Sequence, residues 1–169
     1  FLEVAHCPTE DYRWRRLVAL LREDNRPGII YVPTRRSCEE LTERLDGAGF
    51  AARYYHGGMP RGARHELHEA FLADQVPIMV ATSAFGMGID KPGIAWVAHM
   101  ALPDSPDSYF QEIGRAGRDG NPARVLLLWQ AEDVGLQRFF TGGLPDFGQL
   151  RDLAALLRHE PATRKQLRE

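Results

Sequence analysis

Two arginines lie three residues apart in the segment QEIGRAGRDG, at positions 111–120. Arg115 and Arg118 would share one face if the segment were helical, and glycines stand at positions 114, 117 and 120. Arginine stays charged and offers a planar fork to phosphate oxygens. The pattern favours an anion clamp whose target approaches the backbone, with Gln111 positioning a water or binding the same ligand. Two solvated arginines on a surface turn are the alternative.

Two further loops carry residues suited to phosphate. Thr34 and Arg35 stand between an apolar run and a helical pattern, where a hydroxyl, a guanidinium and free helix N–H groups together bind anions. His56 is a possible donor beside the paired glycines of HGGM, which permit close approach of a backbone. The structural alternatives are a capped helix with solvated arginines and a histidine that stabilises a turn.

A fourth segment, TSAFGMGIDKPG at positions 82–93, is rich in glycine. It lacks the third glycine and the helix of a dinucleotide-binding fingerprint. Backbone N–H groups around Gly88 and the Thr82 hydroxyl can still bind phosphate, and Asp90 can accept from a ribose hydroxyl or hold an arginine. Lys91 follows Asp90. Functional and structural interpretations are both open for this loop.

Strands and helices alternate in the segments that must position these loops. Apolar runs predict five strands, at residues 28–32, 51–55, 76–82, 94–100 and 123–129. Helical patterns occupy residues 12–23, 37–49, 60–75 and 107–113. Ser37 and Glu40 predict a capping box at the start of the second helix. The fold class is therefore α/β, a parallel sheet with helices on both faces and ligands beyond the carboxyl ends of the strands.

Composition excludes several classes of protein. The net charge of −2 gives no whole-chain signal for nucleic acid, so binding would need a local patch. The only cysteines, Cys7 and Cys38, are far apart, which argues against a disulfide scaffold or a zinc site and suits a reducing cytoplasm. Apolar runs are too short to cross a membrane. A chain that starts at Phe1 rather than Met is typical of a fragment.

The chain changes character after residue 140. Residues 141–150 are rich in glycine and proline and predict a linker. Residues 151–169 are mildly basic and predict the start of a helical domain, with a winged helix and ordinary packing helices as the two alternatives. No G-x-x-x-x-G-K-[ST] and no D-E-x-[DH] occurs. Because these motifs hold the phosphates and the metal ion, we expect this chain alone to show no ATPase activity.

Taken together and in order, the motifs resemble the second RecA-like lobe of a superfamily-two helicase, and within that group the RecQ family of DNA helicases. IIYVPTR resembles motif IV, YYHGGM the motif that follows, VATSAFGMGIDKP motif V and SYFQEIGRAGRDG motif VI. The resemblance covers residues 1–140. It implies a RecA-like parallel sheet followed by a short helical C-terminal extension.

The resemblance also implies an activity. It is ATP-driven 3′-to-5′ unwinding of DNA in repair and recombination, with ATP and Mg²⁺ bound mainly by a first RecA-like lobe absent from this sequence. Implied partners are that lobe and DNA, as single strands and duplex junctions, without a membrane. The implied location is the bacterial cytoplasm, at the nucleoid. An RNA helicase, a remodelling ATPase or a non-catalytic nucleic-acid- or protein-binding module remains an alternative.

By motif match, Arg118 is implied to be the arginine finger on the γ-phosphate, and Arg115 to assist it or to pair with an acid across the cleft. Gln111 is implied to couple ATP to DNA. Gly88 is implied to contact the nucleotide, and Asp90 to lie near the nucleotide ribose or Arg118. The residues implied to face DNA are Thr34, Arg35, His56, Thr82 and Lys91.

The sequence departs from the common RecQ pattern in one respect. No cysteine follows Cys38, so the four-cysteine zinc site of familiar members is absent from this chain. In this it is similar to the shorter, zinc-less RecQ-like proteins of bacteria, and no metal-binding residue is predicted.

Overall fold

A computed structural model describes residues 1–86 and 91–140, the last five through their backbone alone. Within these residues six strands form one parallel sheet: β1 (Leu2–His6), β2 (Gly28–Tyr31), β3 (Ala52–Tyr55), β4 (Ile78–Ala81), β5 (Trp96–His99) and β6 (Arg124–Trp129). The helices are α1 (Glu10–Glu23), α2 (Arg35–Gly47), α3 (Arg61–Leu72), α4 (Pro106–Ile113) and α5 (Ala131–Phe140). The predicted parallel α/β fold is confirmed.

The spatial order of the strands is β1-β6-β5-β2-β4-β3. Neighbouring strands β2 and β5 pair in parallel, with Gly28 opposite Trp96 and Tyr31 opposite His99. The chain leaves β2 towards β3 and β4, but it leaves β5 in the opposite direction, towards β6. Such a reversal opens a crevice beyond the carboxyl ends of the two strands, where open α/β sheets bind ligands.

Strand β1 is an element that the sequence patterns did not predict. It lies at the edge of the sheet and pairs in parallel with β6, from Leu2 opposite Val125 to His6 opposite Trp129. Its apolar residues Leu2 and Val4 are exposed. Burial alternates along the strand, but the half-buried residues are Glu3 and Ala5, so hydrophobicity does not mark the inward face. Pairing with a segment more than a hundred residues away defines the strand.

Both faces of the sheet are covered, as predicted. On β2, Ile30 packs in a cluster with Leu17 of α1 and residues of α2. Ile29 and Tyr31 point to the other face and pack in a second cluster, which includes Phe71 of α3. The alternation along one strand thus assigns α1 and α2 to one layer and α3 to the other.

Helix α2 begins earlier than the sequence pattern predicts, and the predicted Ser37–Glu40 capping box is wrong. Thr34 is the N-cap: its Oγ1 accepts from the Ser37 backbone N–H (3.0 Å), and its own N–H donates to Ser37 Oγ (3.1 Å). Serine replaces the usual glutamate in this reciprocal cap. Glu40 instead accepts from Arg36 at 2.6 Å, one helical turn away.

The predicted linker at residues 141–150 and the predicted helical domain at 151–169 lie outside the described residues. In the described part of the chain, none of the helices has both the length and the apolar character needed to cross a bilayer.

Candidate functional site

The loops after β2, β4 and β3 meet at the carboxyl edge, because these strands are neighbours in the sheet. The Thr82 N–H donates to the Tyr55 carbonyl at 3.2 Å. Arg35 lies over Gly58, where a Cβ would stand 2.9 Å from its Nη1. The structure therefore brings together four residues predicted to face DNA: Thr34, Arg35, His56 and Thr82.

Thr34 and Arg35 have different surroundings. The Thr34 hydroxyl is held in the α2 cap, so it fixes the start of the helix. Arg35 is the exposed first residue of α2 and packs on a glycine. A side chain at position 58 would displace it, which gives Gly58 a packing reason for lacking one. Arg35 is thus presented to solvent at the positive end of the helix dipole.

His56 is buried, and both of its ring nitrogens are bonded. Nδ1 accepts from the Gly58 N–H at 3.2 Å, and Nε2 lies 3.0 Å from Glu39 Oε1. Because Nδ1 accepts, Nε2 carries the proton and donates to the carboxylate. The ring also stacks on Tyr54, with centroids 5.4 Å apart. This favours the structural alternative for His56, since no ring N–H remains for a phosphate.

Lys91 is also occupied. It is 4% exposed, and its Nζ donates to Asp74 Oδ1 at 2.7 Å and to the Leu72 carbonyl at 3.2 Å. Leu72 is the last residue of α3, so the ammonium group caps the negative end of that helix. That end of α3 leads into the amino end of β4, opposite the edge that carries Arg35. The geometry argues against the predicted DNA contact of Lys91.

Gly88 and Asp90, the residues predicted to contact nucleotide, lie outside the described residues. Among the residues that are described, no group of three or more histidine, cysteine, aspartate or glutamate side chains is arranged to hold a metal ion.

Arg115 and Arg118 do not share a helical face, because the segment that contains them is not helical. Helix α4 carries the exposed Gln111 but ends at Ile113, and the chain continues as a series of turns. Gly117 (φ 70°) and Gly120 (φ 80°) adopt the left-handed conformation that side chains disfavour. These two glycines are thus required by the turn itself.

The two arginines differ in exposure. Arg118 is exposed, and its Nε donates to the Gly114 carbonyl at 3.1 Å. Arg115 is 7% exposed. Its guanidinium lies against Gly86, where a Cβ would stand 3.0 Å from Nη2. One arginine therefore reaches out of the lobe while the other lies inside it.

We use the term buried network for four polar side chains around Arg115: Tyr31, His99, Glu112 and Arg115 itself. His99 Nε2 lies 2.9 Å from Glu112 Oε2, and the His99 ring stacks on Tyr31. Burial raises the pKa of Tyr31 far above its usual value, and the nearby positive charge of Arg115 opposes that rise. Each of the four is at least nine-tenths buried.

The buried network borders the crevice between β2 and β5. This cleft has a volume of about 480 Å³, and Tyr31, His99 and Glu112 are among its lining residues. Pro33 and Pro103 contribute apolar surface to it. The cleft lies at the predicted ligand-binding edge, although the sequence patterns named none of the three polar residues.

The sequence patterns also missed a basic face on α3. Its residues have the spacing i, i+3, i+4 and i+7 of one helical face, and we call them the cationic face: Arg61, Arg64, His65 and His68. They line a cleft of about 210 Å³ together with Gly86. The helical spacing was readable in RGARHELH, but only the fold places it beside the glycine-rich loop.

Several features make the cationic face a candidate anion site. Arg64 Nε and His68 Nε2 are buried and have no hydrogen-bond partner among the described residues. The first turn of α3 contains no acidic residue, and the N-cap Pro60 provides no side-chain cap. Free N–H groups and cations at a helix N-terminus are suited to phosphate.

Comparisons with known proteins agree with this geometry. The family described as helicase conserved C-terminal domain matches residues 12–120. The chain is 47% identical, over 112 residues, to the ATP-dependent DNA helicase RecQ of Bacillus subtilis; the match covers 66% of the chain and 19% of that protein. The chain thus spans about a fifth of the length of the curated relatives it matches.

Solved structures share the fold. The Escherichia coli DEAD-box protein SrmB, solved with regulator of ribonuclease activity A, superposes with a TM-score of 0.70 at 30% identity, covering 77% of each chain. The Mycobacterium smegmatis helicase Lhr, bound to single-stranded DNA and AMP-PNP, gives a TM-score of 0.66 at 26% identity, over 83% of this chain and 22% of that one.

The chain belongs to the helicase conserved C-terminal domain family, as the second RecA-like lobe of a superfamily-two helicase. The ATP-dependent DNA helicases that it matches assign it, within that family, to the RecQ type.

Proposed function

We propose that this lobe works in an ATP-dependent DNA helicase of RecQ type that unwinds DNA in the 3′-to-5′ direction during repair and recombination. The observation that carries the proposal is that one motif contains both an exposed arginine, Arg118, and a buried one, Arg115. Such an arrangement suits an arginine that acts on a nucleotide held by another lobe.

Arg118 is the proposed arginine finger. It is exposed on a turn whose backbone is hydrogen-bonded to the segment that leads into β5, since the Gly117 N–H donates to the Ile94 carbonyl at 2.9 Å. An arginine that stabilises the charge of the transition state accelerates hydrolysis about 10³–10⁵-fold. The first lobe would bind ATP and Mg²⁺, and Asp90 and Gly88 keep their predicted place beside the nucleotide.

Arg115 has a different proposed task. Because it is buried and lies against Gly86, it positions the turn rather than reaching the nucleotide. Gln111 is exposed on the last turn of α4 and is proposed to couple the nucleotide to DNA. The sequence assigned both residues to the catalytic set; the proposal keeps that role for Gln111 and replaces it with a positioning role for Arg115.

The proposed DNA path runs along the carboxyl edge. Arg35 and the cationic face of α3 provide exposed or half-exposed positive charge there, with Thr82 beside them. We leave His56 and Lys91 out of this path because their polar atoms are bonded within the lobe. Contacts to the backbone would provide affinity without reading sequence.

The full-length protein that contains this chain is the material for the test. We expect single-stranded DNA to stimulate its ATP hydrolysis more than single-stranded RNA does. We also expect strand separation on a duplex with a 3′ single-stranded tail and not on one with a 5′ tail.

Two results would redirect the proposal. Stronger stimulation by RNA would favour an RNA helicase, and absence of hydrolysis with either nucleic acid would favour a non-catalytic binding module.

A further inference from the structure

Tyr31 lies at the centre of the lobe, as the last residue of β2. The strand is flanked by β5 and β4, and the tyrosine is only 4% exposed. Its hydroxyl donates to the Phe85 carbonyl at 2.9 Å. That carbonyl immediately precedes Gly86, so this contact of the hydroxyl holds the backbone at Phe85, within the glycine-rich segment that begins at Thr82.

The Arg115 guanidinium lies against the next residue of that loop, since its Nη2 is 3.0 Å from the place that a Cβ of Gly86 would take. Burial raises the pKa of Tyr31, so the hydroxyl stays protonated and keeps its proton for the Phe85 carbonyl. The Tyr31 hydroxyl thus holds the backbone against which Arg115 lies, and it links two segments that are about thirty residues apart in the chain.

The two segments have different tasks in the proposed function. Thr82 lies at the proposed DNA edge and opens the loop that contains Phe85. Arg115 lies three residues before Arg118, the proposed finger. Building on that proposed function, we propose that Tyr31 is a positioning residue whose hydroxyl transmits DNA binding from the Phe85 loop to the arginine turn.

The lobe offers a matched control for this hydroxyl. Tyr109 of α4 packs on the same His99 ring, edge to face with centroids 5.1 Å apart, whereas Tyr31 stacks on it at 5.3 Å. The Tyr109 hydroxyl is buried but has no hydrogen-bond partner among the described residues. Tyr31→Phe and Tyr109→Phe therefore remove the same atom from the same cluster, but only the first breaks the link.

The test uses the full-length protein and measures kcat and KM for ATP without DNA and with saturating single-stranded DNA. In Tyr31→Phe, we expect the ratio of DNA-stimulated to unstimulated kcat to fall about tenfold, as for a lost coupling between sites. In Tyr109→Phe, the ratio should stay at the wild-type value. A purely structural role would lower the melting temperature without changing this ratio in the folded protein.

A double variant tests the route through Arg115. If Tyr31 acts through that guanidinium, Tyr31→Phe should add little to the loss of stimulation already caused by Arg115→Lys, because groups in one network are not additive. Additive losses would overturn the proposed route.

The outcomes separate the two proposals. Wild-type protein without DNA-stimulated hydrolysis would overturn the proposed function and this inference with it. Wild-type protein that is stimulated, together with a Tyr31→Phe variant that is stimulated equally, would overturn the inference alone.

Discussion

Arg64 and Arg115 both lie beside Gly86, but the lobe surrounds them differently. Arg115 lies in the buried network, with its guanidinium against Gly86. Arg64 lies on the cationic face of α3, in an open cleft that Arg61, His65 and His68 also line. The same residue type is thus enclosed in a buried polar network on one side of Gly86 and placed among other basic side chains on the other.

The two environments suit the two arginines to different functions. A charge inside a network of bonded partners has a defined position, and it depends on geometry more than on salt because solvent ions do not reach it. A group of like charges near solvent is unfavourable by itself and is stabilised by an anion. We therefore expect the buried network to govern turnover and stability, and the cationic face to govern affinity for a polyanion.

The largest expected effect belongs to Arg118, the exposed arginine attached to the buried network. In the full-length protein, Arg118→Ala should lower DNA-stimulated ATP hydrolysis about 10³-fold or more. ATP affinity and the melting temperature should remain close to wild type, because the side chain is exposed. Steady-state hydrolysis and equilibrium nucleotide binding measure the two parts. Near-normal turnover would remove Arg118 from its proposed role.

Two histidine–glutamate pairs provide the next comparison. His99–Glu112 (2.9 Å) is buried on both sides, whereas in His56–Glu39 (3.0 Å) the glutamate side chain is 54% exposed. We expect Glu112→Ala to lower the free energy of unfolding by about 2–3 kcal/mol, since it leaves a buried imidazole unpaired. Glu39→Ala should lower the free energy of unfolding by less than about 1 kcal/mol, because water can replace the exposed carboxylate.

Denaturant unfolding of both glutamate variants measures this difference. Glu112→Gln retains an acceptor oxygen and should recover part of the loss. If both alanine variants lost the same free energy of unfolding, burial would not distinguish the His99–Glu112 pair from the His56–Glu39 pair.

Charge removal on α3 tests the cationic face. Arg61→Gln and Arg64→Gln should each weaken binding of single-stranded DNA several-fold at low salt, and each should reduce the slope of log K against log salt by about 0.7. Arg15→Gln is the control, because Arg15 is an exposed arginine of α1 that already pairs with Asp11. Fluorescence anisotropy at several salt concentrations measures both quantities. A slope unchanged in both α3 variants would place the DNA elsewhere.

The smallest effect near neutral pH concerns Cys38, whose thiol donates to the Val80 carbonyl at 3.1 Å. Burial raises the pKa of Cys38 from 9.0 to about 12. Because the unfolded thiol ionises first, the stability that this residue contributes is complete below pH 9 and is lost as the pH rises towards 12.

Unfolding of wild type and Cys38→Ala between pH 8 and about pH 10.5 measures this loss. The stability difference between the two proteins should shrink as the pH rises, and a constant difference would contradict the raised pKa.

The sequence predicted much of the fold because the relevant signals are local. Continuous apolar runs marked β2 to β6, and helical periodicity marked α1 to α4 within a few residues. Strand β1 was missed because its pairing partner is remote and its apolar residues face solvent. The start of α2 was misplaced because Ser37, at the third helical position, accepts the hydrogen bond from the N-cap N–H that glutamate usually accepts.

The site was predicted less completely. Motif order identified the loops, and the structure brings those after β2, β3 and β4 to one edge. The roles of His56 and Lys91 could not be predicted, because each depends on a partner that sequence spacing does not reveal: Glu39 for the first and Asp74 for the second. The cationic face was visible as a periodic pattern, but nothing in the sequence pointed it towards Gly86.

By itself the sequence determined the class of this protein, since the order and spacing of short motifs along the chain need no folding to be read. Tertiary structure decided which arginine is buried and which is exposed, and it placed Tyr31 between two remote loops. The physical reason is that burial and hydrogen bonding depend on every segment packed around a residue. Arg115 and Arg118 look equivalent in the sequence and become different only when the fold buries the first of them against Gly86.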